Sequence, residues 1–301
     1  MFIAHRHLLD ASELAAVARL FSPSLLKEMA QKGQSPLFSR LAKESGLADV
    51  LAPSESVGTL FNAAFSLLRR KKYRHEYVYK AAIAHKVLLG AHSLETASML
   101  TEFRVDGCKA DTIILNGTST VYEVKSERDK LDRLQNQIAA YRKAFAKVNV
   151  ITGGNHLKEV LDSVPEDVGV LLLTDRYQIK TVREAADAPE RVVPVVVFDA
   201  LQLRESSQLL ELLGMKAPKV PNTQMYREMR KLFAGLDAAQ VHSAMVKVLK
   251  KTRSLQQIRS LVESLPTSLQ AAILSAPPRK RDHAKLLDVM SLPIQEALNW
   301  T

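Results

Sequence analysis

The sequence predicts a mixed α/β fold, an α-β-β-β-α-β core set between helical N-terminal and C-terminal regions. Three observations predict it. From residue 98, short runs rich in Val, Ile, Leu, Phe and Tyr are joined by Asp106-Gly107 and Asn116-Gly117, dipeptides that favour tight hairpin turns. An amphipathic helical pattern follows at once and leads into two further apolar runs. Outside this middle region, apolar residues recur at helical spacing rather than alternating.

The elements follow in order. In the first sixty residues Ser12 is placed to cap a helix bearing Leu14, Val17, Ala18 and Phe21 on one face, and Ser22-Pro23 starts a second. Pro36 and Pro53 punctuate turns. A helix is expected over 57–68, broken by Arg69-Arg70-Lys71-Lys72, and another over 77–89, with Gly90 as its C-terminal cap. Strands are expected over 98–105, 109–115 and 119–125, forming an antiparallel meander. Ser126 and Asp129 form a capping-box-like pair before a long helix whose buried stripe is Leu131, Leu134, Ile138, Tyr141 and Phe145. A strand at 148–152, a helix at 155–163 and a nearly all-apolar strand at 168–174 come next; the last pattern suits a sheet covered on both faces. Val192–Phe198 reads as one more strand, and everything beyond it as helix, starting with 199–213.

The chain has 301 residues, 47% of them hydrophobic and 25% charged, which excludes disorder and a collagen-like chain. A single cysteine, Cys108, excludes a disulfide framework and a Cys-rich zinc site, and fits a reducing compartment. No window of about 18 uncharged apolar residues exists, so no membrane span is expected. The first 21 residues interrupt their apolar positions with His, Arg, Asp and Glu, unlike a signal peptide. A cytoplasmic protein is expected.

The net charge of +10 is unevenly spread. Residues 1–60 are neutral, 61–94 carry +6, 95–200 carry −3 and 201–301 carry +7. Excess Lys and Arg of this kind suits a polyanionic partner, although a solvated basic surface gives the same pattern. Three segments are expected: a helical region 1–72, a core 73–200 and a basic all-helical domain 201–301, with Pro218 and Pro221 in a polar linker.

Chemistry concentrates at the meander. Asp111 lies early in the second strand and Glu123-Val124-Lys125 ends the third. Alternation puts Glu123 and Lys125 on one face and Val124 on the other, and the Asn116-Gly117 hairpin brings Asp111 alongside. Two adjacent carboxylates repel unless a cation neutralises them, and oxygen ligands suit Mg²⁺ or Mn²⁺. A nearby lysine can hold a water or a developing negative oxygen. A strand end whose Glu and Lys pair on the surface is the plainer reading of the triplet. Ser93 has no His/Asp partner set for nucleophilic catalysis, and no glycine-rich phosphate loop is present.

With eleven residues between Asp111 and Glu123-Val124-Lys125, and the αβββαβ order around them, the region 73–175 resembles the PD-(D/E)XK nuclease superfamily, the restriction-endonuclease-like fold. Gln137 and Tyr141, four apart on the following helix, are similar to the Gln-x-x-x-Tyr motif of its RecB-type branch. Ala110 stands where the family's motif has proline. The resemblance implies a metal held by Asp111 and Glu123 with the Val124 carbonyl. It implies that Lys125 positions the attacking water, that Gln137 orients water or the lysine, and that Tyr141 supports it or touches the nucleic-acid backbone. It also implies an acid from the first core helix, for which Glu76 is the candidate and Glu102 the competitor; Glu102 is equally placed to pair with Arg104 or Lys109. His85 and His92 read as structural residues rather than as the upstream histidine of some RecB-type enzymes.

On this resemblance Arg69, Arg70, Lys71, Lys72 and Arg74 become phosphate contacts that hold a strand without reading its sequence. Arg227, Arg230 and Lys231, then Lys247, Lys250, Lys251 and Arg253, then Arg279, Lys280 and Arg281 form three further clusters. The expected activity is Mg²⁺- or Mn²⁺-dependent hydrolysis of DNA phosphodiesters. The alternatives are a non-cleaving nucleic-acid-binding or assembly protein on the same fold, and an RNA nuclease. A homodimer or a partner protein stays open.

Overall fold

The computed structural model describes residues 9–301; residues 1–8, part of the stretch read against a signal peptide, lie outside the described residues. Two compact units divide the chain. One takes in Met1–His85, described from residue 9, together with Gln256–Thr301; the other is Lys86–Leu255. The boundaries expected at 72, 200 and the Pro218–Pro221 linker are therefore not where the units part. The reason is burial: Leu209, Leu210, Met229, Phe233 and Val241 share one apolar core with sheet residues Val121, Val148 and Val170.

In the first unit α1 (Ala11–Arg19) is capped by Asp10, whose carboxylate accepts the Glu13 N–H while Glu13 accepts the Asp10 N–H. The expected cap, Ser12, lies inside the helix. Proline occupies the first turn of α2 (Pro23–Lys32) and of α3 (Pro36–Glu44), where its missing N–H has no intrahelical partner to lose. The helix α4 is Val57–Leu68. After a short turn, α5 (Glu76–Ala82) runs through a widened helical turn at Ile83–Leu88 into α6 (Leu89–Ala91). Gly90 is thus inside the helix, and His92 is the cap.

The second unit is built on a six-stranded sheet of order β1-β2-β3-β4-β5-β6: Ser98–Val105, Cys108–Leu115, Ser119–Lys125, Lys147–Thr152, Gly169–Leu173 and Ile179–Arg183. The first three strands are an antiparallel meander, β3, β4 and β5 are parallel, and β6 returns antiparallel. Asp106 and Gly107 both hold positive φ in the first turn, as a two-residue hairpin requires.

Between β3 and β4, α7 spans Leu134–Arg142. The Ser126–Asp129 pair forms, with the Asp129 carboxylate accepting the Ser126 N–H and hydroxyl, but it closes a turn well before the helix begins. Crossover helix α8 is Leu157–Ser163. Val192–Phe198 is not a strand. Pro194 opens helix α9 (Pro194–Ala200), and its valines are spent on packing rather than on a ladder that proline cannot join. The helix expected over 199–213 is broken at Leu201-Gln202, giving α10 (Leu203–Leu212), followed by α11 (Asn222–Ala234) and α12 (Ala238–Thr252).

Two buried polar ties hold these helices. Arg253, just beyond α12, donates Nε and a terminal nitrogen to both Glu205 oxygens at 2.8 Å, and its guanidinium lies 5.2 Å from the Phe103 ring centroid. His242 of α12 meets the Ser119 hydroxyl at 2.9 Å and accepts the Ser119 N–H. The chain then returns to the first unit with α13 (Arg259–Ser264), α14 (Thr267–Ser275), α15 (His283–Ser291) and α16 (Ile294–Ala297). Among the described residues no helix is long and apolar enough to cross a membrane.

Candidate active site

The sheet loses its regularity at one place. Glu102 on β1 holds φ of 55°, a left-handed conformation rare for a non-glycine residue, and neither Glu102 nor Asp111, which the register places opposite it, joins the ladder. The inward alternation slips in both strands, so Leu100 and Phe103 share the apolar core, as do Ala110 and Ile113. The consequence is that Glu102 and Asp111 offer carboxylate oxygens within 4.8 Å of each other. Pairing between β2 and β3 also stops at Thr112–Tyr122, and the Asp111 carboxylate accepts the Val124 N–H at 2.9 Å in place of a ladder bond.

One residue further along β3, Glu123 is 2% exposed. Its Oε1 accepts from Lys125 Nζ at 2.8 Å and Gln137 Nε2 at 2.5 Å, and its Oε2 lies 2.8 Å from the Tyr141 hydroxyl. Lys125 also donates to Gln137 Oε1 at 2.9 Å. The Tyr141 hydroxyl is equally near the Lys109 carbonyl and donates to one acceptor at a time. Burial, and then the Glu123 carboxylate, push the Tyr141 phenol far above the usual tyrosine range, so it stays a neutral donor. The local sequence explains the arrangement: the i, i+2 step along β3 aligns Glu123 with Lys125, and the i, i+4 step along α7 aligns Gln137 with Tyr141.

Asp111, Glu123, Lys125, Gln137 and Tyr141 are thus gathered in one region, with Val124 contributing its N–H to Asp111. The surface ion pair offered as the plainer reading of Glu123 and Lys125 is not what forms, because both are buried. The acid drawn up to Asp111 in this unit is Glu102, which also pairs with Lys109. Glu76 belongs to the first unit, at the start of α5, where Lys80 pairs with it at 2.6 Å. His85 and His92 take structural roles, bonded to the Thr267 carbonyl and to the Asn116 amide.

The donor set suits a hard divalent cation. Carboxylate oxygens are its ligands, and bonds of about 2.0–2.6 Å bridge oxygens as close as those of Glu102 and Asp111. Glu123 Oε1 already accepts two hydrogen bonds and Oε2 one, so Oε2 is the oxygen with a lone pair left for a cation.

Arg69, Arg70, Lys71 and Lys72 are exposed around a short turn in the first unit. Arg74 is not: it is 1% exposed and its guanidinium reaches the Arg69 carbonyl at 3.5 Å, so it cannot serve as the surface phosphate contact expected of it. Of the later clusters, Arg227 and Lys231 pair with Glu228, Arg230 with Asp199 and Arg253 with Glu205, which leaves them as helix-surface and tethering cations. A cavity of about 520 Å³ in the first unit, beside Leu26 and Ile273, holds none of the site residues.

Fold and site together define an α/β protein whose sheet carries a carboxylate pair beside a buried Glu–Lys–Gln–Tyr network. The chain belongs to the bacteriophage P4 protein cII family, whose profile matches residues 69–272 and so takes in every one of these residues. Protein cII of Enterobacteria phage P4 is 36% identical over 63 residues, 21% of this chain. That match spans 24% of the phage protein's length. A solved structure of a protein of unknown function from Silicibacter pomeroyi is 21% identical, covering 40% of this chain and 76% of that one with a TM-score of 0.30.

Proposed function

We propose that the chain is a metal-dependent nuclease with a restriction-endonuclease-like core, hydrolysing DNA phosphodiester bonds with Mg²⁺ or Mn²⁺. The observation that carries the reading is the convergence of Asp111 with Glu123, Lys125, Gln137 and Tyr141 where β2 and β3 part. Support also comes from the chain order, in which the continuous helical stretch α5–α6 is followed by β1-β2-β3-α7-β4, as in the αβββαβ order of the PD-(D/E)XK superfamily. In this reading Asp111 and Glu123 hold the metal, with Glu102 adjacent, and the bound cation polarises the phosphate and activates water. Lys125 orients the water and balances negative charge, and Gln137 keeps the lysine in place. Arg69, Arg70, Lys71 and Lys72 hold the DNA backbone by charge.

Incubation of circular and linear DNA with Mg²⁺, with Mn²⁺ and with chelator tests this. Cleavage with either metal, abolished by chelator and by Asp111→Ala, is the expected result. Cleavage that persists in chelator, or none on DNA with either metal, overturns it; cleavage confined to RNA moves the substrate to the alternative nucleic acid. Calcium should bind without supporting turnover, because its looser geometry positions water poorly.

A further inference from the structure

The face of β3 opposite Glu123 lines a cavity of about 280 Å³ that the nuclease reading does not use. Three polar side chains of the central strands, Thr120, Tyr122 and Asn149, line it and are 7%, 7% and 8% exposed. Among the described residues none of the three side chains makes a hydrogen bond within the chain, although each is more than nine-tenths buried. Their polar tips are not sealed from solvent but open into the cavity, so three uncommitted donors and acceptors converge where one ligand can meet them all. Gly169 makes room for one of them: a Cβ there would come within 2.1 Å of Asn149 Oδ1. Burial, helped by the Glu184 carboxylate, pushes the Tyr122 phenol up to about 12, so it faces the cavity as a neutral hydroxyl.

The lining selects the chemistry. Its cation, Lys147, stands 3.6 Å from Asp187, and the cavity's own acid, Glu184, offsets it, so no net charge calls for a charged ligand. Leu171 and Ile179 give an apolar sheet surface, which suits a flat ring. The Asn149 amide presents a donor and an acceptor side by side, the pattern that pairs with the edge of a nucleobase. The volume holds one ring system and its sugar, not a polymer. We infer that this cavity binds one uncharged nucleobase, as a free nucleoside or as an unpaired base of a strand.

Calorimetric titration of the full chain with the five common nucleosides at millimolar concentration tests the assignment, with ribose and glycine as controls and a short single-stranded oligonucleotide to separate the two sources. One-to-one binding of a nucleoside, or a component of oligonucleotide binding that Tyr122→Phe weakens, is expected, with neither control binding. Tyr122→Phe keeps the ring and removes only the hydroxyl, and it should weaken binding about tenfold while the ligand-free melting temperature holds. Asn149→Asp should weaken it similarly. Asp111→Ala should leave binding unchanged, so a failure of the nuclease reading does not touch this result. No binding by any nucleoside or oligonucleotide, equal binding of ribose or glycine, or wild-type affinity in Tyr122→Phe overturns the proposal.

Discussion

Glu123 and Lys125 form a buried ion pair, 2.8 Å apart on the same face of β3, with 2% and 8% of their side chains exposed. Neither charge has bulk water to fall back on. Gln137 bonds both members of the pair and Tyr141 bonds Glu123, so each charge has partners besides the other. Such a pair contributes little net stability, but removing one member leaves the other charge buried and uncompensated. Asp111, at the parting of the strands, is only half-buried and is not bound by that constraint.

Substitutions at the two carboxylates should therefore separate. Glu123→Ala should cost about 3–5 kcal/mol in urea unfolding, because it strands the Lys125 ammonium. Asp111→Ala should cost about 1–2 kcal/mol, the worth of its bond to the Val124 N–H. On the nuclease reading both abolish cleavage, and Asp111→Ala does so in a chain that is still well folded. A double change of Glu123 and Lys125 to apolar residues should recover much of the stability and none of the activity. An active Asp111→Ala chain would sink the metal-site assignment.

The acid limb of the stability curve should depend on Glu205. Burial raises its carboxyl, but the Arg253 guanidinium, the Gln202 N–H and the Thr252 hydroxyl together hold it below the usual value of 4.5. A carboxyl depressed in the folded state adds stability that is present above its unfolded value and lost as pH falls through the folded one. Glu205→Gln should lower stability by about 1–3 kcal/mol at neutral pH and flatten the loss below about pH 4.5. Equal slopes for the two chains in that range would show that the tie to Arg253 carries no pH dependence.

His242 should give a separate step at higher pH. Burial lowers its value from the usual 6.5, with Asp187 pulling weakly the other way, and the neutral ring accepts the Ser119 N–H. Between 6.5 and that lowered value the unfolded chain binds a proton that the folded chain does not. Stability therefore falls as pH drops through this window and is complete above it. Unfolding at about pH 7.5 and 5.5 should show the loss in the parent chain and a smaller one in His242→Gln. A full-sized loss in the variant would assign the step to another group.

Much of this was legible because local signals were unopposed. The run Val57–Leu68, the strands Ser98–Val105 and Ser119–Lys125 and the Asp106-Gly107 turn all agree with their own period and turn chemistry. Asp111, Glu123, Lys125, Gln137 and Tyr141 came together because periods of 2 and 3.6 are enough to align them once the hairpin is known. Residues whose state depends on distant packing were not legible. Ile179–Arg183 is a short edge strand with polar alternation and a bulge against β5, so it reads as a loop. Pro194–Ala200 has strand-like valines that tertiary packing turns into a helix. Arg74 sits in a basic run that is otherwise exposed, and only the fold reveals that it alone is buried. Thr120, Tyr122 and Asn149 left no signal, because they alternate with the core residues Val121, Val148 and Val150 and so fall on the face where polar side chains are ordinary.

The basic run before α5 can be divided by salt. Arg69, Arg70, Lys71 and Lys72 are exposed, and Lys72 Nζ lies 4.7 Å from the Tyr73 ring centroid. Each phosphate they neutralise releases counterions, and losing it should flatten the log–log salt dependence of duplex binding by about 0.9. Neutralising all four together should weaken binding to every sequence alike and leave the melting temperature within the range of ordinary surface changes. Arg74→Ala should do the reverse, since it empties a buried site: lower stability by about 2 kcal/mol or more, with an unchanged salt slope. Binding isotherms across a salt series, paired with thermal melts, read both effects. An unchanged slope in the fourfold variant would return the run to a solvated surface and remove the DNA contact from the proposed function.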